Sequence, residues 1–142
     1  MLRNLVRRCR RCGSGASAVE FALVAPVFLL MLFGILVYGQ YLSLTHSVQQ
    51  LAAEAARQSL GGLDTAERAA LADAYLEANA QFYPLVDVHR LQVSAAPASD
   101  DPDIFVVTLS YNLKDTLFDI VPQFLKPRPV LVASAAIERG GY

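Results

Sequence analysis

The sequence predicts an α+β protein in which a long amino-terminal transmembrane and spine helix carries a small extracytoplasmic head. Three observations predict this class. Residues 19–38 form an apolar run with one charge, a second helical period follows Asp64, and three strand-like runs occupy residues 90–96, 104–113 and 130–137. The head is therefore expected to contain one further helix and an antiparallel sheet of at least three strands.

The apolar run is long enough to cross a membrane, because a spanning helix needs roughly 20 mostly apolar residues. Five arginines and no acid precede it: Arg3, Arg7, Arg8, Arg10 and Arg11. Short basic flanks stay in the cytoplasm, so we expect the amino terminus inside and the chain after Gln40 outside. A secretory signal peptide would place its small-residue cleavage site after the apolar core, whereas Ala16, Ser17 and Ala18 precede it. We therefore expect the anchor to be retained.

Length and charge agree with this layout. The chain has 142 residues, of which 54% are hydrophobic and 18% charged, which suits one membrane helix and one compact domain of roughly 80 to 100 residues. We predict a basic cytoplasmic leader at residues 1–15, the transmembrane and spine helix at 16–60, and a periplasmic α+β head at 61–142. After Gln40 the acids outnumber Lys plus Arg, which argues against a nucleic-acid partner.

Glu20 is the one charge within the apolar run. A carboxylate in a membrane span costs a few kcal/mol unless it finds a partner or stays near the interface. If the chain is cut after Gly15, the new amino group of Ala16 lies about one helical turn from Glu20, either in the same chain or in a neighbouring one. A cut at this bond would therefore supply the positive charge that Glu20 lacks.

These residues resemble the processing site of a type IV prepilin: a basic leader, Gly15 before the cut, Glu20 at the fifth mature position and Phe21 directly after it. More narrowly, the run Gly-Ala-Ser-Ala-Val-Glu-Phe-Ala-Leu-Val-Ala-Pro at 15–26, with Tyr38-Gly39 and Ala-Ala-Glu-Ala-Ala-Arg at 52–57, is similar to the TadE-like minor pseudopilins of the tight-adherence (Flp) pilus system. The resemblance covers about the first 60 residues well and the rest only in general layout.

The resemblance implies a minor pilin or pseudopilin that a prepilin peptidase cuts between Gly15 and Ala16 and that acts in assembly of a tight-adherence pilus. Its implied partners are membrane lipid, the peptidase, other pilins or pseudopilins and the pilus assembly platform, at the bacterial inner membrane. The alternative is an uncleaved, single-pass anchored periplasmic binding or sensor domain. Glu20 and its distance from Gly15 favour the pilin, because a plain anchor has no use for an acid there.

Pro26 lies inside the predicted span. A proline in a helix interior removes one backbone hydrogen bond, here to the carbonyl of Ala22, and crowds that carbonyl. We therefore expect a kink near residues 22–26. The kink either helps the subunit to tilt out of the bilayer into a filament or has no function.

Beyond Gly39 the helical period continues, which predicts one helix up to Gly61 and Gly62. Its apolar positions are Leu44, Val48, Leu51, Ala52, Ala55 and Ala56. They suit packing against the chain's own head or an adjacent subunit, and we favour the head.

A second helix should begin with Asp64 as N-cap and Glu67 as its capping-box partner, and end before Pro84. We expect its apolar stripe to face the core: Leu63, Ala66, Ala70, Leu71, Ala74, Tyr75, Ala78 and Phe82.

The middle strand-like run alternates most regularly. One face carries Phe105, Val107, Leu109, Tyr111 and Leu113, and the other carries Thr108, Ser110 and Asn112. Residues 97–102 read as a hairpin loop. A short amphipathic turn, with Leu117, Ile120, Val121 and Phe124, should either pack under the sheet or face a partner, and we favour packing.

No residue pattern indicates an enzyme, a cofactor, a metal or a small-molecule substrate. Cys9 and Cys12 have zinc-like spacing but no second ligand pair, and His46 and His89 accompany no nucleophile motif. Asp100, Asp101 and Asp103 lack the glycine and the later glutamate of a calcium loop, so we interpret them as a solvated acidic turn.

Overall fold

The computed structural model describes residues 13–114, 116, 118, 121–123 and 126–138. In these ranges the elements are helix α1 at Gly13–Ser59, helix α2 at Thr65–Asn79, short 3-10 turns at Ala80–Phe82 and Val88–Arg90, and strands β1 at Leu91–Pro97, β2 at Ile104–Asn112 and β3 at Val130–Glu138. The predicted α+β class is confirmed. The leader arginines, both cysteines, and Leu117, Ile120 and Phe124 lie outside the described residues.

Helix α1 belongs to two compact units, with the boundary between Leu36 and Val37. The first unit contains the part of α1 that is apolar enough to cross a membrane, with a mean hydropathy of 2.6 over its best 18 residues and none of them buried. The chain thus has an amino-terminal helix compatible with a single-pass membrane anchor. The second unit contains the rest of α1, α2 and the sheet. The domain divisions at residues 15 and 60 remain predictions.

The core of the second unit forms around the outer part of α1. Its inward residues are the six that the helical period picks out: Leu44, Val48, Leu51, Ala52, Ala55 and Ala56, each at most 3% exposed. They share one hydrophobic cluster with residues of α2, β2 and β3. The prediction that this segment packs against its own head is confirmed. Of the four apolar residues predicted for the 117–124 turn, Val121 is described and is buried, as is its neighbour Phe118.

The sheet is a three-stranded antiparallel meander in the order β1-β2-β3. Leu109 of β2 pairs with Val93 of β1 and with Ala133 of β3, which fixes the register on both sides. The buried face of β2 carries Phe105, Val107, Leu109 and Tyr111, so the predicted alternation is confirmed. The outer face carries polar residues such as Thr108 and Ser134 together with exposed valines such as Val132.

Helix α2 begins as predicted. The Asp64 carboxylate accepts a hydrogen bond from the backbone N–H of Glu67 at 2.8 Å, and the Glu67 carboxylate accepts one from the N–H of Leu63 at 2.8 Å. These bonds satisfy the N–H of Glu67, which has no partner within the first helical turn, and the N–H of Leu63, which precedes the helix. The helix ends at Asn79, where the 3-10 turn takes over before Pro84.

The predicted core-facing stripe of α2 is wrong. Of its eight residues only Tyr75 is half-buried, while the others are exposed; Leu63 is 91% and Phe82 75% exposed. The buried residues of α2 are instead Arg68, Ala72 and Leu76, followed by Ala80 in the next turn. The helix lies on the sheet with the face opposite to the predicted one.

The error has a physical cause. Alanine and leucine occur on both faces of α2, and Arg68 makes the face that is actually buried look polar. Arg68 is 8% exposed, and its Nε donates a hydrogen bond to the Gly62 carbonyl at 3.0 Å, while the aliphatic stem covers apolar surface. A Cβ on Gly62 would lie 2.6 Å from the Arg68 backbone nitrogen and 2.9 Å from its Cα. Glycine at 62 is therefore what allows Arg68 to pack inward.

Replacing Gly62 with alanine should destabilise the head by about 1–3 kcal/mol, because backbone atoms would have to move to relieve the overlap. The matched control is Gly61→Ala, whose added Cβ would meet its nearest atoms at 3.6 and 3.7 Å, an ordinary contact. It should stay within about 0.5 kcal/mol of wild type. Urea unfolding of the full chain in detergent, followed by tyrosine near-ultraviolet circular dichroism, measures both. Equal stability of the two variants would contradict the packing described for Gly62.

Candidate functional site

The five residues of the predicted processing and assembly segment all lie on the first unit's part of α1. Gly15, Ala16, Glu20 and Phe21 are exposed in the isolated chain, as is Pro26. A Cβ built on Gly15 meets nothing within 4 Å. Within the described residues, the first unit thus presents this segment without covering it, and any specificity for Gly15 must come from a partner that binds it.

The Gly15–Ala16 bond lies near Gly13, where the described part of α1 begins. Each glycine costs a helix about 1 kcal/mol relative to alanine. Gly13 and Gly15 lie close together in this stretch. Unwinding the bond for a protease therefore costs less here than farther along the helix.

Ala16 and Glu20 are separated by four residues of continuous helix, which places them on the same face about one turn apart. Among the described residues, Glu20 has no hydrogen-bond or ion-pair partner, and the described cations next along the chain, Arg57 and Arg68, belong to the second unit. The uncut chain contains no amino group at Ala16. Cleavage at Gly15 would create a cation at this distance from Glu20.

The side chains that follow Glu20 form an uninterrupted apolar surface. Phe21 is 73% exposed, and the large residues up to Tyr38 are exposed as well, with only Val37 half-buried. In a soluble protein such a surface would be a liability for aggregation, whereas in lipid or among other apolar helices it is the expected composition. This part of α1 therefore needs a membrane or a bundle of helices around it.

Pro26 lies inside α1, and the helix continues through it. Because proline has no N–H, the Ala22 carbonyl has no i+4 donor from residue 26. In a membrane this orphaned carbonyl needs a donor from a neighbouring helix, a hydroxyl side chain or a local adjustment. The kink at residues 22–26 and its function remain predictions.

A small pocket lies on the described part of the head. A shallow apolar pocket of about 150 Å³ is lined by Gln40, Leu44, Leu85, Tyr111, Thr116 and Phe118, which is smaller than the ~300–1,000 Å³ of typical small-molecule sites. No group of three metal-ligating side chains occurs in the part of the chain that the structure describes. The Asp101 carboxylate accepts a hydrogen bond from the Asp103 N–H at 2.9 Å, so it shapes the β1–β2 turn.

One tyrosine in the described part of the head has a pKa above its ordinary value. The hydroxyls of Tyr75 and Tyr83 lie 3.2 Å apart, and this hydrogen bond, with burial as the smaller cause, raises the pKa of Tyr83 to about 12. A tyrosine with so high a pKa stays protonated at physiological pH, so it does not supply a tyrosinate base. We assign the pair a structural role, joining α2 to the segment that follows it.

Comparison with known proteins shows which residues of the chain carry the resemblance. Residues 15–57 match the sequence profile of the family described as TadE-like protein. No curated protein and no solved structure matches the chain. The matched segment begins at Gly15, contains Glu20, Phe21 and Pro26, and ends at Arg57, two residues before α1 ends. The resemblance to TadE-like proteins is therefore confirmed for α1, and the match does not extend to α2 or the sheet.

Proposed function

We propose that this chain is a minor pilin or pseudopilin. The match of residues 15–57 to the TadE-like family supports this proposal, because it implies a Tad pilus-associated protein. In this proposal a prepilin peptidase cuts between Gly15 and Ala16, and the mature subunit acts in assembly of a tight-adherence pilus. The subunit sits in the inner membrane with its amino terminus in the cytoplasm and its head in the periplasm. Its partners are other pilins or pseudopilins and the assembly platform.

One observation carries the proposal: the family match starts at the glycine that precedes the proposed cut and includes the acid four residues after the proposed new amino terminus. The helix supports it, because continuous α-helical geometry from Gly13 brings Ala16 and Glu20 onto one face. The exposed apolar surface from Phe21 to Tyr38 provides the contact area for lipid before assembly and for neighbouring helices after it.

Cleavage would change the electrostatics of the segment. Before the cut Glu20 has no partner among the described residues, and an unpaired carboxylate favours the interface over the bilayer interior. After it, the Ala16 ammonium of the same or a neighbouring subunit can neutralise Glu20 in a helix bundle. A charge pair in such surroundings fixes the register of packed helices more than it adds stability. We therefore assign Gly15 to recognition and Glu20 to docking.

The alternative is an uncleaved anchor that carries a periplasmic binding or sensor domain. It needs neither Gly15 nor Glu20, and it predicts a binding site in the head. The pocket beside Leu44 and Tyr111, in the described part of the head, is smaller than typical small-molecule sites. The first proposal accounts for more of what is observed.

The proposed orientation predicts the behaviour of fused reporters. A reporter that is active only in the periplasm should work when fused after Tyr142, because the arginines before the span hold the amino terminus inside. Replacing the five leader arginines with neutral residues should reduce its activity several-fold. A fusion that is active only with a cytoplasmic reporter would contradict the orientation.

The direct test of function is removal of the gene from a bacterium that makes the pilus. We expect surface pili and adherence to fall to background and to return when the full-length chain is supplied on a plasmid. A variant that lacks residues 61–142 but keeps α1 tests whether the head is needed. Normal piliation in the deletion strain would contradict the pilus role.

A further inference from the structure

The outer face of α2 is an apolar surface that the chain itself leaves uncovered. We define it by seven exposed residues, of which the first precedes α2 and the last follows it: Leu63, Ala66, Ala70, Leu71, Ala74, Ala78 and Phe82. Leu63 is 91%, Phe82 75% and Leu71 36% exposed. Single exposed apolar residues are common on proteins, whereas a contiguous set on one helix face marks an interaction site.

The charges around this face are of one sign. Glu67, Asp73 and Glu77 are exposed on α2. The cation of α2, Arg68, is buried on the opposite face with its Nε bonded to the Gly62 carbonyl. With about 3.6 residues per turn, Asp73 and Glu77 lie along one edge of this face and Glu67 lies within it, between Leu63 and Leu71. The outer face therefore combines apolar residues with three acids and has no exposed lysine or arginine of its own helix.

These charges distinguish between occupants. Two copies of the chain that met through this face would bring three exposed acids against three, which is unfavourable at an interface. An anionic lipid surface attracts Lys- and Arg-rich helices and would repel this one. A partner with basic residues beside an apolar surface would gain from both features.

The shape of the face indicates what kind of element fits. Ala66, Ala70, Ala74 and Ala78 recur every four residues and form one low row along the helix, and Leu71 and Phe82 stand beside it. Rows at i, i+4 spacing are the ridges and grooves through which helices pack, and small side chains allow close approach. An extended strand has no matching period.

We propose that the outer face of α2 docks an amphipathic helix of a different protein, with small or aliphatic residues at its centre and Lys or Arg along its border. The assignment rests on the exposed leucines and phenylalanine together with the complementary charge. It concerns the head and holds whether or not the Gly15–Ala16 bond is cut, so it goes beyond the function proposed above.

The test is site-specific photo-crosslinking of the full chain in its own cells. A photoreactive amino acid at Ala74, in the centre of the face, should give an adduct whose cross-linked peptide, identified by mass spectrometry, is a helical segment with Lys or Arg beside its apolar positions. The matched control carries the same amino acid at Val132, which is 64% exposed on the outer face of the sheet, and should give at least tenfold less of this adduct.

Charge reversal completes the test. Asp73→Lys with Glu77→Lys should lower the Ala74 adduct at least tenfold, and changing the identified basic residues of the partner to Glu should restore it. Asp100→Lys with Glu138→Lys, two exposed acids outside α2, should leave it unchanged. All four substitutions lie on exposed positions, so the melting temperature should stay at the wild-type value.

Four results would overturn the proposal: adducts mainly with a second copy of this chain, adducts with lipid, a cross-linked peptide without basic residues, or an Ala74 yield equal to that at Val132. A yield that is insensitive to the Asp73 and Glu77 reversal would also overturn it. Failure here would leave cleavage at Gly15 and the pilus phenotype intact, so it is distinguishable from failure of the proposed function.

Discussion

Replacing Gly15 with valine should leave the full-length precursor in the membrane. A β-branched side chain next to the scissile bond should lower the rate of cleavage about a hundredfold or more, which corresponds to about 2.7 kcal/mol in the activation barrier. Gly15→Ala, with one added methyl group, should at most slow the cut. Immunoblots of cells sampled over time after induction measure the ratio of precursor to mature chain.

The chain contains a close control for this substitution. A Cβ at Gly15, at Gly34 or at Gly39 meets nothing within 4 Å, and all three glycines lie in α1. Gly34→Val and Gly39→Val make the same chemical change in the same helix and should be cut at the wild-type rate. If all three valine variants accumulate precursor alike, the defect lies in insertion or stability, and Gly15 is not the recognition residue.

Replacing Glu20 with glutamine should leave the precursor inserted, folded and largely cut, yet impair association with partner pilins. The head's core begins at Leu44, more than 20 residues along α1, so its folding is independent of Glu20. If the carboxylate pairs with the Ala16 amino group in a poorly solvated bundle, removing one partner of a buried ion pair costs about 3 to 5 kcal/mol. Such a loss weakens association by about a hundredfold to a few thousandfold, since each 1.4 kcal/mol is about tenfold.

Co-purification with sibling pilin subunits, measured alongside cleavage, tests this expectation. Glu54→Gln is the matched control, because Glu54 lies on the same helix but pairs with Arg57 at 2.6 Å in the second unit, and surface pairs of this kind contribute little. A double-mutant comparison sharpens the result: since the Gly15→Val precursor lacks the Ala16 amino group, adding Glu20→Gln to it should cost nothing further. Wild-type association of Glu20→Gln would leave the acid only a peptidase-recognition role.

The sequence correctly predicted the parts of the fold in which the residue pattern is compatible with only one arrangement. The alternation along β2 places Leu109 and Tyr111 on one face of any strand that contains them. The apolar period from Leu44 to Ala56 likewise allows only one face of the helix to be buried. The N-cap at Asp64 follows from local hydrogen bonding, which needs no tertiary information. These elements agree with the structure to within one or two residues.

The orientation of α2 could not be predicted in the same way. Its two faces differ little in apolar content, and the deciding contact joins Arg68 to the Gly62 carbonyl, a tertiary arrangement that no periodicity reports. A rule that counts arginine as exposed selects the wrong face, because it ignores the aliphatic stem. The function of the segment around Gly15 is limited in another way. In the proposed function Gly15, Ala16 and Glu20 act through partner proteins, so a single chain shows their spacing and exposure but not what they bind.

The most direct measurement is the mass of the amino-terminal peptide of the wild-type protein, purified from cells that contain the prepilin peptidase and from cells that lack it. The account predicts a chain that begins at Ala16 in the first case and still carries the leader with its five arginines in the second. A protein that retains the leader when the peptidase is present would contradict the proposed processing, and with it the assignment of Gly15 and Glu20.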